Sequence, residues 1–299
     1  MDDPQLSALD RLVPGEAVRG QLDGGPGLRW VEVGVGDPVV LVAGAGEVCL
    51  DWATVLPSLA EAHRVVAYDR RALGASRKER RVTLRSQLDD LTHLLAEVGP
   101  ATLVGHSWGG LLAELVTLER ADLVRGLVLV DPFREGLSAA IPWRQRIASR
   151  VMLTGLVPLK VVGVFGRIAS GMGRALAEKC TTDEEVRALI VDAYVASYAT
   201  LGQVAAIRRE NVLGDTCTTE VRTIRRGSRP PDLPMRILTA GRDKPSALQH
   251  RYVVLAEAAA HGWPGGAWIP VPDSGHYIHH DVPDVVVQAV SSVSGESPS

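Results

Sequence analysis

LVGHSWGGLLAE, residues 103–114, decides the reading of this chain. An apolar run, ATLVG, leads into Gly105-His106-Ser107-Trp108-Gly109, and a helix-like run, LLAELV, follows. A strand that turns this sharply into a helix holds its central residue in a strained backbone conformation. Only small neighbours fit, so Gly105 and Gly109 flank Ser107 at two positions either side. The turn lifts the Ser107 hydroxyl out at the carboxyl end of the strand, and the first amides of the helix point into the same space.

Working outward, short apolar runs recur: VVLVAG (39–44), RVVAYD (64–69), GLVLVD (126–131), MRILTAG (235–241) and AWIPVP (267–272). Continuous Val/Ile/Leu runs suit parallel strands covered on both faces. AVRGQL and LRWVEVGV, joined by DGGPG, read as an N-terminal hairpin. TLRSQLDDLTHLLAEVG places Leu84, Leu88, Leu91, Leu95 and Val98 at helical spacing, and Gly99-Pro100 stops it. Strand–helix alternation implies a doubly wound α/β sheet. Between Pro132 and Asp232 the alternation gives way to helical segments: IPWRQRIASRVMLTGL, FGRIASGMGRALAEKC and TDEEVRALIVDAYVASYATLGQVAAIRREN. The expected organisation is a core of residues 1–131 and 233–299, with 132–232 inserted as a helical cap.

A serine hydroxyl is a poor nucleophile near neutral pH and needs a base, which in turn needs an orienting acid. His276, in PVPDSGHYIHHDVP, follows the last strand and can hang over the sheet edge. His279 and His280 lie nearer the C-terminal helix and are expected to face solvent. His106 is expected to pack. The acid should follow another strand. Asp243, in ILTAGRDKP, is the first choice, and Asp131, in LVLVDPF, is the rival. Two converging amides are needed for an oxyanion hole. Trp108 supplies one, and the AGAGE loop at 43–47 supplies the other, expected to be Ala45.

VVLVAGAG, YDRRALGAS, GHSWGG, LTAGRD and GHYIHHDVP resemble, in order and spacing, the motifs of the α/β-hydrolase family from about residue 28 to 293. The resemblance implies an eight-stranded, mostly parallel sheet, a helical cap and a Ser-His-acid triad. It gives Ser107 the role of nucleophile, His276 of base, Asp243 of acid, and Ala45 and Trp108 of oxyanion donors. Two positions depart from the pattern. Ala43-Gly44 stands where the family usually has His-Gly, so a side chain that usually braces the loop is missing. Ala72 replaces one glycine of the segment that holds Asp69, Gly74 and Ser76. The family's dehalogenases and epoxide hydrolases carry aspartate where this chain has Ser107.

Composition bounds the rest. The chain has 299 residues, 46% of them apolar, with a net charge of −3 and a pI near 6.3. These values support a large core and do not suggest a nucleic-acid or membrane-surface protein. The net +5 between Phe133 and Asp232 reads as solvated helix faces or, more sharply, as a basic lid that attracts anionic ligands. Cys49, Cys180 and Cys217 have no metal-like spacing and no disulfide framework. The N-terminus has no apolar signal core, and the run at 151–166 is too short and interrupted to span a membrane. The expectation is a cytoplasmic serine hydrolase of small, largely apolar esters, needing no cofactor or metal. A lyase, acyl transferase or cyclase on the same scaffold, or a receptor with a vestigial triad, shares these features.

Overall fold

The computed structural model describes residues 3–22, 27–76, 82–134, 164–198, 200–242 and 246–295. A capped N-terminal helix, α1 (Pro4–Asp10), precedes the strands β1 (Val18–Gln21), β2 (Arg29–Val33), β3 (Asp37–Val42) and β4 (His63–Asp69). A short helix, α2 (Leu56–Ala60), joins β3 to β4. Then come α3 (Leu84–Val98), β5 (Ala101–His106), α4 (Ser107–Glu119) and β6 (Val124–Val130). The sheet has eight strands in the order β1-β2-β4-β3-β5-β6, followed by β7 (Pro234–Ala240) and β8 (Gly265–Val271). The β1–β2 hairpin is antiparallel and meets β4 antiparallel; every other pairing is parallel. The doubly wound, mostly parallel sheet expected from the apolar runs is thus present.

Alternate side chains of one strand feed opposite faces. Val39 and Leu41 of β3 enter one buried cluster, while Val40 and Val42 enter the other. The leucines of α3 cover the second cluster together with Leu111, Leu112 and Leu115 of α4. Thr83 caps α3 by accepting the Ser86 amide, and Gly99 ends it at φ 93°. The chain runs from β3 to β4 on one side and then crosses to β5 on the other side of β3. The loops after β3 and β5 therefore diverge, which opens a crevice at the carboxyl ends of these two strands. The AGAGE loop and Ser107 stand at that crevice.

Between β6 and β7 the described chain is helical: α5 (Val164–Cys180), α6 (Glu184–Tyr198), α7 (Leu201–Thr216) and α8 (Thr218–Gly227). The single helix expected across 182–211 is broken between α6 and α7. Thr200 is extended (φ −116°, ψ 148°), and its hydroxyl accepts the Gln203 amide. That side chain offers the backbone a cap in place of a continued helix. The helix α8 has no counterpart in the sequence reading. Its signal is electrostatic, with Glu220 in the first turn and Arg225 and Arg226 in the last, matching the helix dipole. The expected helix over 141–156 lies outside the described residues. The chain closes with α9 (Ser246–His261), α10 (Ile278–Asp281) and α11 (Pro283–Ser294). No single helix among the described residues is long and apolar enough to cross a membrane.

Candidate active site

Ser107 has φ 49°, left-handed for a residue with a side chain. Strain of this kind persists only where the surroundings over-determine it. Here the glycines do so. A Cβ on Gly105 would stand 2.5 Å from the Gly109 carbonyl oxygen, and one on Gly109 would collide with the Val42 carbonyl. Gly110, which the sequence reading left unassigned, is equally constrained: its Cβ would lie 2.9 Å from Pro132. The turn can close only against bare backbone. Ser107 is half-buried, and its carbonyl accepts the Phe133 amide at 2.8 Å.

Asp131, one residue past β6, is the second non-glycine residue of the site in the left-handed region, at φ 42°. It is fully buried. Its amide donates to Leu238 at 2.9 Å, and its Oδ1 accepts the Ala240 amide at 2.9 Å. Its Oδ2 meets His276 Nδ1 at 2.6 Å. The carboxylate on the imidazole is therefore that of the rival, Asp131. Asp243, the first choice from sequence, lies outside the described residues. The imidazole of His276 is 43% exposed, and its ring packs 4.7 Å, centre to centre, from that of His106, the residue before Ser107.

His106 does more than pack. Its Nε2 donates to the His276 carbonyl at 3.1 Å, and its Nδ1 meets Glu47 Oε2 at 3.0 Å. A carbonyl only accepts, so with an ionised Glu47 both ring nitrogens carry protons. Burial opposes that charge, but Glu47 outweighs it and His106 titrates above its ordinary value. Glu47 is held below the usual range, against burial, chiefly by His106 and the Gly44 amide. His279 and His280 do not face solvent as expected. The short α10 turn tucks His279, fully buried, against Trp52 and His106, and His280 Nε2 donates to the Asp51 carbonyl at 2.7 Å. Glu47, His106 and His279 bring potential ligand atoms within 4.8 Å of one another. Both His106 nitrogens are already committed, so the group suits a hydrogen-bonded cluster better than a metal.

The loop after β3 is braced on every side but one. Arg70 donates to the Ala43 carbonyl at 2.5 Å and to the Gly44 carbonyl at 2.6 Å. The Gly44 amide donates to Glu47 at 2.5 Å, the Gly46 amide to Glu210 at 2.6 Å, and the Glu47 amide to Gly44 at 3.0 Å. Arg70, Glu47 and Glu210 thus supply the bracing that Ala43 lacks. The Ala45 amide enters none of the described hydrogen bonds. The Trp108 amide lies in the first turn of α4, where backbone donors have no helical partner. The other departure also leaves its mark: Ala72, in place of glycine, sits at φ 68°.

A cavity of about 370 Å³ lies between this loop and the inserted helices. Ala45, Gly46, Met172, Leu176, Ile207 and Tyr277 line it, with Asp51 and Tyr198 on one wall. Asp51 is 2% exposed. Its Oδ2 accepts the Val48 amide at 2.8 Å and the Tyr198 hydroxyl at 2.5 Å. Burial and the nearby Glu47 push its carboxyl up to about 7. The apolar run at 151–166 lies almost wholly outside the described residues.

The family model "Alpha/beta hydrolase family" matches residues 39–289. A soluble epoxide hydrolase of Corynebacterium sp. (strain C12) is 34% identical over 107 residues, 35% of this chain and 37% of that protein. That match spans well under half the length of the relative. A mouse sn-1-specific diacylglycerol lipase is 26% identical over 231 residues, 77% of this chain and 71% of the lipase. The crystal structure of an alpha/beta hydrolase fold protein from Burkholderia ambifaria superposes with a TM-score of 0.67 at 24% identity, over 94% of this chain and 98% of the other. With the match running from the third strand into the last helix, and the strained serine turn within it, the chain belongs to the alpha/beta hydrolase family.

Proposed function

We propose that the protein is a serine hydrolase that cleaves an ester-type bond of a small, largely apolar substrate. The observation that carries the reading is the 2.6 Å contact of His276 with buried Asp131, beside a serine held at φ 49°. Ser107, where the family's epoxide hydrolases carry aspartate, favours acyl transfer over epoxide opening.

In this reading His276 Nε2 takes the Ser107 proton as Oγ attacks the acyl carbon. Asp131 holds the ring with Nδ1–H inward and offsets the imidazolium charge. The carbonyl oxygen becomes an oxyanion between the Ala45 and Trp108 amides. Collapse breaks the ester bond, and the leaving alcohol takes the proton from His276. Water, deprotonated by the same imidazole, then attacks the acyl-enzyme, and its collapse returns the proton to Ser107 and releases the acid. The described helices between β6 and β7, α5 to α8, act as a cap, and the cavity beneath them receives the apolar part of the substrate.

A fluorophosphonate should label Ser107 alone, and Ser107→Ala should lose both the label and hydrolysis of p-nitrophenyl esters while staying folded. Each methylene buried in the cavity adds about 0.8 kcal/mol, roughly fourfold in kcat/KM. Acetate esters that match or exceed hexanoate esters would rule out the apolar pocket.

A further inference from the structure

Gln203, Ile207 and Glu210 lie on one face of α7 (i, i+4, i+7), and all three meet Gly46. Gln203 Nε2 donates to the Gly46 carbonyl at 2.9 Å, and Glu210 Oε2 accepts the Gly46 amide at 2.6 Å. A Cβ on Gly46, which has φ 78°, would stand 2.6 Å from Ile207 Cγ1. Only glycine lets the helix approach so closely.

Glu210 and Arg70 are each 1% exposed and pair through two bonds, at 2.9 Å from Nε and 2.8 Å from Nη2. The same guanidinium holds the Ala43 and Gly44 carbonyls. Glu210 Oε1 also accepts Gln87 Nε2 at 2.5 Å, and Gln87 Oε1 accepts the Trp108 indole at 2.9 Å. One carboxylate on an inserted helix thereby reaches the loop after β3 and, through Gln87, the residue after Ser107. A buried ion pair contributes little net stability because desolvation offsets the attraction. What it supplies here is a fixed geometry. It fastens the Gly46 amide and the Ala43 and Gly44 carbonyls, while Glu47 holds the Gly44 amide, so the Ala45 amide between them is left unspent.

We propose that Glu210, with Arg70, is a positioning pair for the oxyanion hole, so that the hole is assembled only when α7 is seated on the loop. This rests on the serine-hydrolase reading. The inserted helices then have a second role besides shaping the cavity: they complete the site that stabilises the transition state.

The test is steady-state hydrolysis of p-nitrophenyl butyrate by Glu210→Gln. An amide cannot accept from all four donors, so Gly46 or Arg70 loses its partner. The expected result is a fall in kcat of about 10²-fold, the scale of one lost oxyanion donor. KM should change less than threefold and the pH-rate profile should keep its acid limb, because the triad is untouched. A folded Glu210→Gln with kcat within threefold of the parent overturns the proposal. Arg70→Met/Glu210→Leu removes both charges and guards against a variant that fails to fold; its kcat should stay low, and recovery to the parent value overturns the proposal. Hydrogen exchange in the unaltered chain is a third readout. The Gly46 amide should exchange far more slowly than that of Ala45, and equal rates count against the clamp. A parent protein inert to both the ester and a fluorophosphonate would instead sink the hydrolase reading, with Gly46 exchange still deciding the clamp.

Discussion

Two carboxylate–imidazole pairs stand side by side at the head of the sheet, Asp131–His276 and Glu47–His106. Their rings lie 4.7 Å apart, yet they suit opposite tasks. His276 is 43% exposed on a fully buried aspartate. Its inner nitrogen is fixed on that carboxylate, and the rest of the ring reaches the surface. His106 is fully buried with both nitrogens committed. It has no free nitrogen with which to act as a base. Through Glu47 and the His276 carbonyl it ties the loop after β3, the serine turn and the histidine loop together. The same pairing on paper leaves one ring reaching solvent and makes the other a tie-bar; in the reading proposed above, only the first can shuttle a proton.

The largest effect should come from breaking the outer pair. Asp131→Asn keeps the Oδ1 acceptor for Ala240 but leaves His276 in the wrong tautomer beside an unsupported cation. In well-studied triads that costs up to about 10⁴ in kcat. Asp243→Asn should stay within about tenfold, a barrier change of about 1.4 kcal/mol. Turnover of a p-nitrophenyl ester by the two variants checks this, and the reverse ranking would move the acid to Asp243.

Breaking the inner pair should act on stability first. Glu47→Gln leaves an imidazolium buried without its counter-ion, a loss of about 3–5 kcal/mol. The pH dependence has two edges. Glu47 has a folded pKa below its ordinary 4.5, so its contribution is present above that value and lost as pH falls through the lower folded one. His106 has a folded pKa above its ordinary 6.5, so its contribution is full below that value and lost as pH rises through the higher folded one. The gap in urea midpoint between parent and Glu47→Gln should therefore be widest near pH 6 and narrow on both sides. A gap that is constant from pH 4 to 9 would show that the pair is not ionised.

The outer pair was half legible in the sequence and the inner pair was not. Ser107 and His276 stand out because local context announces them: a strand–Gly–Ser–Gly–helix turn, and a histidine just after the last strand. The acid is not local. Asp131 and Asp243 both follow strands, and the choice depends on where the loop carrying His276 lands, a contact across 145 residues. Glu47 left a faint trace as a lone acid in the apolar stretch AGAGEVCL, and Glu210 left none, since RREN on a helix reads as a solvated face. The parallel strands were legible because burial on both faces leaves a continuous apolar run. The break at Thr200 was not, because a capping hydroxyl competes with an otherwise good helix only weakly in sequence.

The smallest effect concerns a third acid, Asp51, which lines the cavity beside Glu47. Asp51 faces Glu47, His106, the Tyr198 hydroxyl and the Val48 amide, and its carboxyl is raised from 3.8 to about 7 by burial and by Glu47. A raised folded pKa means that folding takes up a proton. The contribution is full below pH 3.8 and is lost as pH rises through about 7, where ionised Asp51 opposes Glu47. Asp51→Asn imitates the protonated form at every pH and keeps an oxygen for Tyr198 and Val48. Its melting temperature should match the parent near pH 4 and exceed it by several degrees at pH 8. Turnover of short esters should change less than threefold, because Asp51 touches neither Ser107 nor His276 in the described hydrogen bonds. A variant less stable than the parent at pH 8 would mean that Asp51 is ionised in the folded protein. The charge of Glu47 would then be shared with a second carboxylate, and the neat separation between shuttle and tie-bar would have to include the wall of the cavity.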